Sequence, residues 1–180
     1  MEVLDCIKTR RSVRKFKDEA IPHELIAEVV AAAAWAPSWK NTQTARYIVL
    51  EDRALKDRIA EECVLGFQFN TITAKGAAAL VLLTCVNKRS GFNRDGSFST
   101  SKGDRWEMFD AGIAAQTFCL AAHDKGLGTV ILGVFDDSKL TEMAQIPEGQ
   151  SVSALIAIGY PDEEPVAPKR KTVEDLLSFR

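Results

Sequence analysis

Only two histidines and four cysteines occur in the 180 residues, and neither set is spaced for chemistry. Cys6, Cys63, Cys85 and Cys119 stand far apart with no Cys-x-x-Cys, which argues against a zinc site and a disulfide framework. Three of them sit among apolar residues and read as small core fillers. His23 falls in the first turn of one predicted helix and His123 in the last turn of another, where a cation complements the helix dipole. Both read as structural or surface groups rather than ligands. There is no His-Glu-x-x-His, no Gly-x-Ser-x-Gly elbow and no cysteine beside an evident base. Gly-x-Gly-x-x-Gly is also missing, which disfavours a Rossmann or P-loop nucleotide site. An enzyme without a recognisable catalytic acid, base or nucleophile would let a cofactor carry the hard chemistry, and the same absences fit a non-enzyme.

Other absences set the location. Met1-Glu2-Val3-Leu4-Asp5 carries acids where a signal peptide has its basic region. The apolar stretch around 108–122 is interrupted by Asp110 and Gln116, so no segment is suited to span a bilayer. A net charge of −2 gives no reason to expect nucleic acid or an anionic membrane as partner. The expectation is a cytoplasmic protein acting on small molecules.

With 46% apolar residues the chain can bury one sizeable core, and residues 1–180 read as a single domain. Residues 2–9 form a short helix, and Pro22 opens a second that must stop before Pro37. Arg46–Leu50 alternates as a strand, 53–63 is an amphipathic helix, and Ala79–Val86 is a continuous apolar run that reads as a buried strand. Trp106–Lys125 is the longest helix. Its Ala111, Gly112, Ala114, Ala115, Ala121 and Ala122 are small enough to let another helix approach. Strands near 129–134 and 152–158 flank a helix at 137–145, and a last helix lies near 172–178. Between them, 87–104 is polar and long for a loop, which leaves a mobile lid and a disordered linker both open.

Two segments carry chemistry. In Arg10-Arg11-Ser12-Val13-Arg14 an extended backbone places Arg10, Ser12 and Arg14 on one side and Arg11 on the other. Guanidinium forks flanking a hydroxyl suit a phosphate monoester. In Pro37-Ser38-Trp39-Lys40-Asn41-Thr42-Gln43, the amides of Asn41 and Gln43 offer donors and acceptors to the edge of a flat heterocycle. Together they describe a mononucleotide. Taken alone, each is equally an ordinary basic surface or a turn-forming loop.

The order of motifs along the chain resembles the FMN-dependent nitroreductase family. Arg10, Ser12, Arg14 and Phe16 match its Arg-x-Ser-x-Arg/Lys-x-Phe, and Ala36, Pro37, Ser38, Asn41 and Gln43 match its Ala-Pro-Ser-x-x-Asn-x-Gln. Gly126-Leu127-Gly128-Thr129, Gly133 with Phe135-Asp136, Ile146-Pro147-Glu148-Gly149, Ala157-Ile158-Gly159-Tyr160-Pro161 and the basic run Lys169-Arg170-Lys171 follow in register. Thr44 and Ala45 depart from the family's Pro and aromatic, and residues 64 to 105 match poorly. The resemblance implies an α+β, three-layer α/β/α sandwich forming an intertwined homodimer with FMN at the subunit interface. It implies ping-pong transfer from NAD(P)H through FMN to an electron-poor acceptor such as a nitroaromatic or quinone. Flavin storage, reductive dehalogenation and ring dehydrogenation are its alternatives. The cofactor set it implies is Arg10, Arg11, Ser12 and Arg14 at the phosphate and pyrimidine edge, with Lys169 and Lys171 completing the clamp. Pro37, Ser38, Asn41 and Gln43 would lie on the ring or ribityl chain, the Pro-Ser part reaching the partner's flavin. Asn70 would add a polar contact, and the backbone at Leu132 and Gly133 would approach the ring. No metal ligand and no catalytic side chain are implied. Trp39 and Phe135 are expected in the core.

Overall fold

The computed structural model describes residues 1–180. Four antiparallel strands, β1 (Ala45–Leu50), β2 (Ala79–Val86), β3 (Gly128–Leu132) and β4 (Gln150–Gly159), form one sheet in the order β1-β2-β4-β3. Helices cover both faces. This is why β2 is apolar throughout, although antiparallel strands usually alternate. Ala79, Val81 and Leu83 point into one core, with α2 (His23–Ala33) and α5 (Arg105–Asp124) above it. Leu80 and Leu82 point into the other, under α3 (Arg53–Glu62), α4 (Gln68–Gly76) and α6 (Asp137–Met143). The α/β/α sandwich of the sequence reading is therefore present. Each fully buried leucine here contributes about 2–5 kcal/mol by the usual cost of truncation to alanine. Asp52 and Asp136 cap α3 and α6, accepting from Leu55 N at 2.8 Å and Lys139 N at 3.0 Å.

Two paired glycines anchor the N-terminal segment. Gly128 and Gly159 face each other across β3 and β4. A Cβ on Gly128 would come within 2.8 Å of Val13, and one on Gly159 within 2.9 Å of Phe16. Without side chains they form a shelf on which residues 10–16 lie. Ser12 makes a parallel bridge to Thr129 and Phe16 an antiparallel one to Pro161. α1 (Val3–Thr9) precedes this segment, and α7 (Val173–Leu176) closes the chain.

Three details differ from the sequence reading. α4 had no readable helical pattern, since its Asn and two Thr are weak helix formers. In α5 the residues Ala111, Ala115 and Ala122 lie inside the first core and Ala114 is also buried, so only Gly112 of the small residues noted before Ala121 is on the outer side. The 87–104 excursion is folded on itself: Asn93 N donates to Ser97 O at 2.8 Å, Ser99 N to Gly91 O at 2.8 Å, and Trp106 Nε1 to Thr100 Oγ1 at 3.1 Å. Gly91 and Gly103 meet at its base. No helix is long and apolar enough to cross a membrane.

Candidate cofactor site

The basic segment leaves α1 extended, with Arg10 at φ −54° and ψ 132°. Its arginines do not share one face. Arg10 and Arg11 line a cleft of about 960 Å³ with His123, Gly126–Thr129 and Pro161–Pro165. Arg14 lines a second, of about 410 Å³, with Phe67, Phe69, Asn70 and Val130–Val134. The correction has a local cause. Arg10 still belongs to the helix end, and the Arg11 guanidinium folds back to donate to Lys8 O at 2.6 Å and Arg10 O at 2.8 Å. Ser12, bonded to neither cleft's walls by its side chain, sits on the strip of backbone between them. Period-two alternation does hold at Val13, buried, and Arg14, exposed.

Two groups here lack partners that burial ordinarily demands. Arg10 Nε is buried with no acceptor. Asn70 is buried on α4, and its amide nitrogen makes a single long contact of 3.5 Å to Val134 O. Beside it Gly133 has nothing within 4 Å of where a Cβ would be, which leaves the backbone open to a flat ligand. Leu132 is buried at the end of β3, directly before that open backbone. His123 lies against Thr9, with Nε2 2.9 Å from Thr9 Oγ1. Burial, and then the charges of Arg10 and Arg11, hold its pKa below the ordinary value. It is therefore a neutral ring near pH 7, not the dipole-compensating cation of the sequence reading.

The amide-bearing segment is not extended, so the spacing of Asn41 and Gln43 does not align them. Trp39–Asn41 is a short 3₁₀ turn, and Lys40, Asn41 and Gln43 have φ of 46°, 56° and 49°. Three non-glycine residues in the left-handed region within four positions is a concentration of backbone strain that clusters at functional sites. Ser38 Oγ accepts from Gln43 N at 2.9 Å and closes the turn. Pro37, Ser38 and Gln43 line a third, largely apolar cleft of about 360 Å³ with Tyr47 and Asp110. Trp39, expected in the core, is half-exposed and packs on Trp106 at 4.6 Å between ring centroids. Phe135 does pack against the second core.

Within one chain the structure thus joins Arg14, Asn70, Leu132 and Gly133, sets Arg10 and Arg11 nearby, and keeps Pro37, Ser38 and Gln43 apart. Lys169 and Lys171 are exposed on the tail and form none of the ion pairs of the chain. Sequence reasoning missed α4's Phe67 and Phe69, whose rings lie 5.8 Å apart in the Arg14 cleft. It also passed over Asp110, noted only as an interruption of an apolar run. A buried acid at one position of such a run was the available signal.

These features define a class: a three-layer α+β protein with a basic, ring-sized cleft at one end of its sheet. The profile of the nitroreductase family matches residues 7–160, and the chain belongs to that family. A relative from Methanothermobacter thermautotrophicus, provisionally named NADH dehydrogenase/NAD(P)H nitroreductase, is 33% identical over 172 residues, covering 92% of this chain and 80% of its own. Iodotyrosine deiodinase 1 of Sus scrofa is 25% identical over 198 residues, covering 98% and 68%. The solved structure of an FMN-dependent nitroreductase from Clostridium difficile R20291 superposes with a TM-score of 0.79 at 27% identity, covering 98% of both chains.

Proposed function

We propose that this protein is an FMN-dependent oxidoreductase that passes reducing equivalents from NAD(P)H to an electron-poor organic acceptor, a nitroaromatic or a quinone. The observation that carries this reading is the Arg14–Asn70–Gly133 cleft beside the unpartnered Arg10 guanidinium. Its residues fit the cofactor: a guanidinium lacking an acceptor suits a phosphate, a buried amide with a single long contact suits a ring edge, and an open glycine permits face contact. When bound, FMN would supply the two-electron redox chemistry between a nicotinamide donor and the organic acceptor. Arg10 and Ser12 would hold the phosphate, joined by Lys169 and Lys171. Arg14 places positive charge at the cleft, which favours the gain of electrons there. Asn70 orients the ring edge, and Phe67 and Phe69 keep water from the neighbouring wall.

The Pro37–Gln43 turn completes the site from a partner subunit, and the exposed apolar surface supports a dimer. Val3, Leu4 and Ile7 on α1, Met108 and Phe109 on α5, and Val166, Leu176 and Phe179 on the tail are all exposed in the single chain. Val3, Leu4 and Ile7 share one short helix and Met108 adjoins Phe109, and apolar residues grouped in this way mark a contact surface where singly scattered ones do not. The similarity to a deiodinase favours reductive dehalogenation as the second reading. Mass spectrometry of the ligand released on denaturation tests the cofactor, with FMN expected. FAD, or no flavin after saturation, overturns the reading. Anaerobic reduction by NADH and NADPH, followed by nitroaromatic, quinone and halophenol acceptors, then separates the two chemistries from flavin storage, which would show no steady turnover.

A further inference from the structure

Asp110 is buried to 4% exposure in the second turn of α5, and no cation pairs with it. Such a group is expensive to bury and is retained only where donors surround it. Its donors come from two distant segments. Trp39 N–H, inside the strained turn, donates to both carboxyl oxygens at 2.9 and 3.1 Å. Ser90 Oγ, fully buried at the root of the 87–104 excursion, donates to Oδ2 at 2.6 Å. Ser90 Oγ also lies 2.8 Å from Thr42 Oγ1, on the far side of the same turn. The carboxyl group and the serine therefore grip the turn at both ends, at Trp39 and at Thr42, with the left-handed Lys40 and Asn41 between them.

We propose that Asp110, acting with Ser90, is the positioning residue that holds the Pro37–Gln43 turn in its cofactor-binding conformation. This rests on the functional reading above, in which that turn touches FMN. The physical case is one of compensation. Three residues with positive φ carry backbone strain and persist only where the surroundings over-determine them. The turn's own backbone bonds, Asn41 N to Ser38 O and Thr42 N to Trp39 O, are local and do not fix its orientation on the protein. The bonds that do so are those to Asp110 and Ser90. Removing them leaves the fold's two cores untouched but frees Asn41 and Gln43 from the positions at which their amides meet the ring.

The test measures FMN binding to the apoprotein by fluorescence quenching, together with the visible spectrum of the bound flavin, for the wild type, Asp110→Asn, Ser90→Ala and Thr42→Val. Ile59→Ala, a cavity in the opposite layer, serves as a destabilised control. Asp110→Asn is expected to weaken FMN by about tenfold, the size of a buried hydrogen bond lost. Ser90→Ala and Thr42→Val should weaken it about threefold each and less than additively when combined, because they break one connection. All three should shift the bound flavin's spectrum, and Ile59→Ala should lower the melting temperature without shifting it. Should Asp110→Asn fail to fold, the two hydroxyl variants carry the test. Wild-type affinity and an unshifted spectrum in Ser90→Ala and Thr42→Val would overturn the proposal while leaving the functional reading intact. Absence of FMN binding by the wild type would overturn both.

Discussion

The two segments proposed to bind the cofactor are built by different means. Residues 10–16 are laid on the sheet by backbone, through the Ser12–Thr129 bridge, the Val13 N to Thr129 O bond of 3.0 Å, and the glycine shelf beneath. The Pro37–Gln43 turn joins no sheet. It is held by side chains that are 71 and 48 positions away in sequence, and it carries the strain that the other part lacks. Conformation set by a ladder tolerates side-chain replacement, whereas conformation set by two or three side chains does not. The first part should therefore fail one contact at a time and the second as a unit.

The comparison is broken most severely by removing the partner that would bring the two parts together. On α5 the sheet-facing residues and the outward ones are cleanly divided, and Gly112 is outward with open space around it. Gly112→Glu should leave the monomer folded, since glutamate favours a helix over glycine by up to about 1 kcal/mol. Dimer content and FMN occupancy should then be lost together, measured by analytical ultracentrifugation beside flavin absorbance. Ala115→Glu is a different experiment, because Ala115 lies in the first core and a buried charge there disrupts folding itself. A folded Gly112→Glu monomer that retains all its FMN would show that one chain builds the whole site.

Within the backbone-built part the arginines should separate. Arg10→Ala is expected to cost roughly tenfold to a hundredfold in FMN affinity, the size of a lost charge-assisted phosphate contact. Arg14→Ala should cost less in affinity and more in reduction rate, because its cleft is the one proposed for the ring. Arg11→Ala should change binding by no more than about threefold, since its guanidinium is already committed to two backbone carbonyls. Titration of the three apoproteins decides this. Equal losses would reduce the cluster to diffuse positive charge.

How far the sequence disclosed the site follows the same division. The extended course of residues 10–14 was legible, because local alternation suffices where a ladder fixes the chain, as at buried Val13 and exposed Arg14. β2 was legible to the residue, as a continuous apolar run admits few other readings. The left-handed turn at Lys40–Gln43 was not, because nothing in Asn-Thr-Gln announces positive φ when the cause lies in Asp110 and Ser90. α4 was invisible for a related reason: its residues are poor helix formers, and tertiary packing of Asn70, Thr73 and Ala74 overrides their propensity. The separation of Arg10 from Arg14 escaped because alternation says which way a side chain leaves the backbone, not which cleft its end reaches.

A smaller change should touch neither part directly. The excursion closes at Gly91 and Gly103, which are in contact, so Phe92–Lys102 can be excised without displacing Ser90. FMN affinity should stay near the wild-type value, while kcat/KM changes unequally across nitroaromatic and quinone acceptors, as expected of a loop rooted beside the Pro37–Gln43 turn through Ser90. Identical kinetics for every acceptor would make the segment a passive appendage. Loss of FMN would show that it supports the turn through more than Ser90.

The smallest expected effect is a pH dependence, set chiefly beside the backbone-built part. His123 is held below its ordinary pKa of 6.5 by burial and by Arg10 and Arg11, with Asp124 opposing them. The unfolded chain therefore takes up this proton first as pH falls through about 6.5, and the stability His123 contributes above that value is lost on acidification. His23 carries the opposite sign. Its exposed ring is raised by the hydrogen bond to Glu51, so its small contribution is present at low pH and lost as pH rises through the folded-state value. Denaturant melts between pH 5.5 and 7.5 should show the acid decline flattened by His123→Gln and slightly steepened by His23→Gln. The same ring also reports on the ligand. A phosphate seated beside Arg10 offsets the repulsion that depresses His123, so saturating FMN should move its NMR titration upward, whereas riboflavin, which lacks the phosphate, should not. An unmoved His123 would place the phosphate away from the Arg10 cleft and would return the basic half of the site to Arg14 alone.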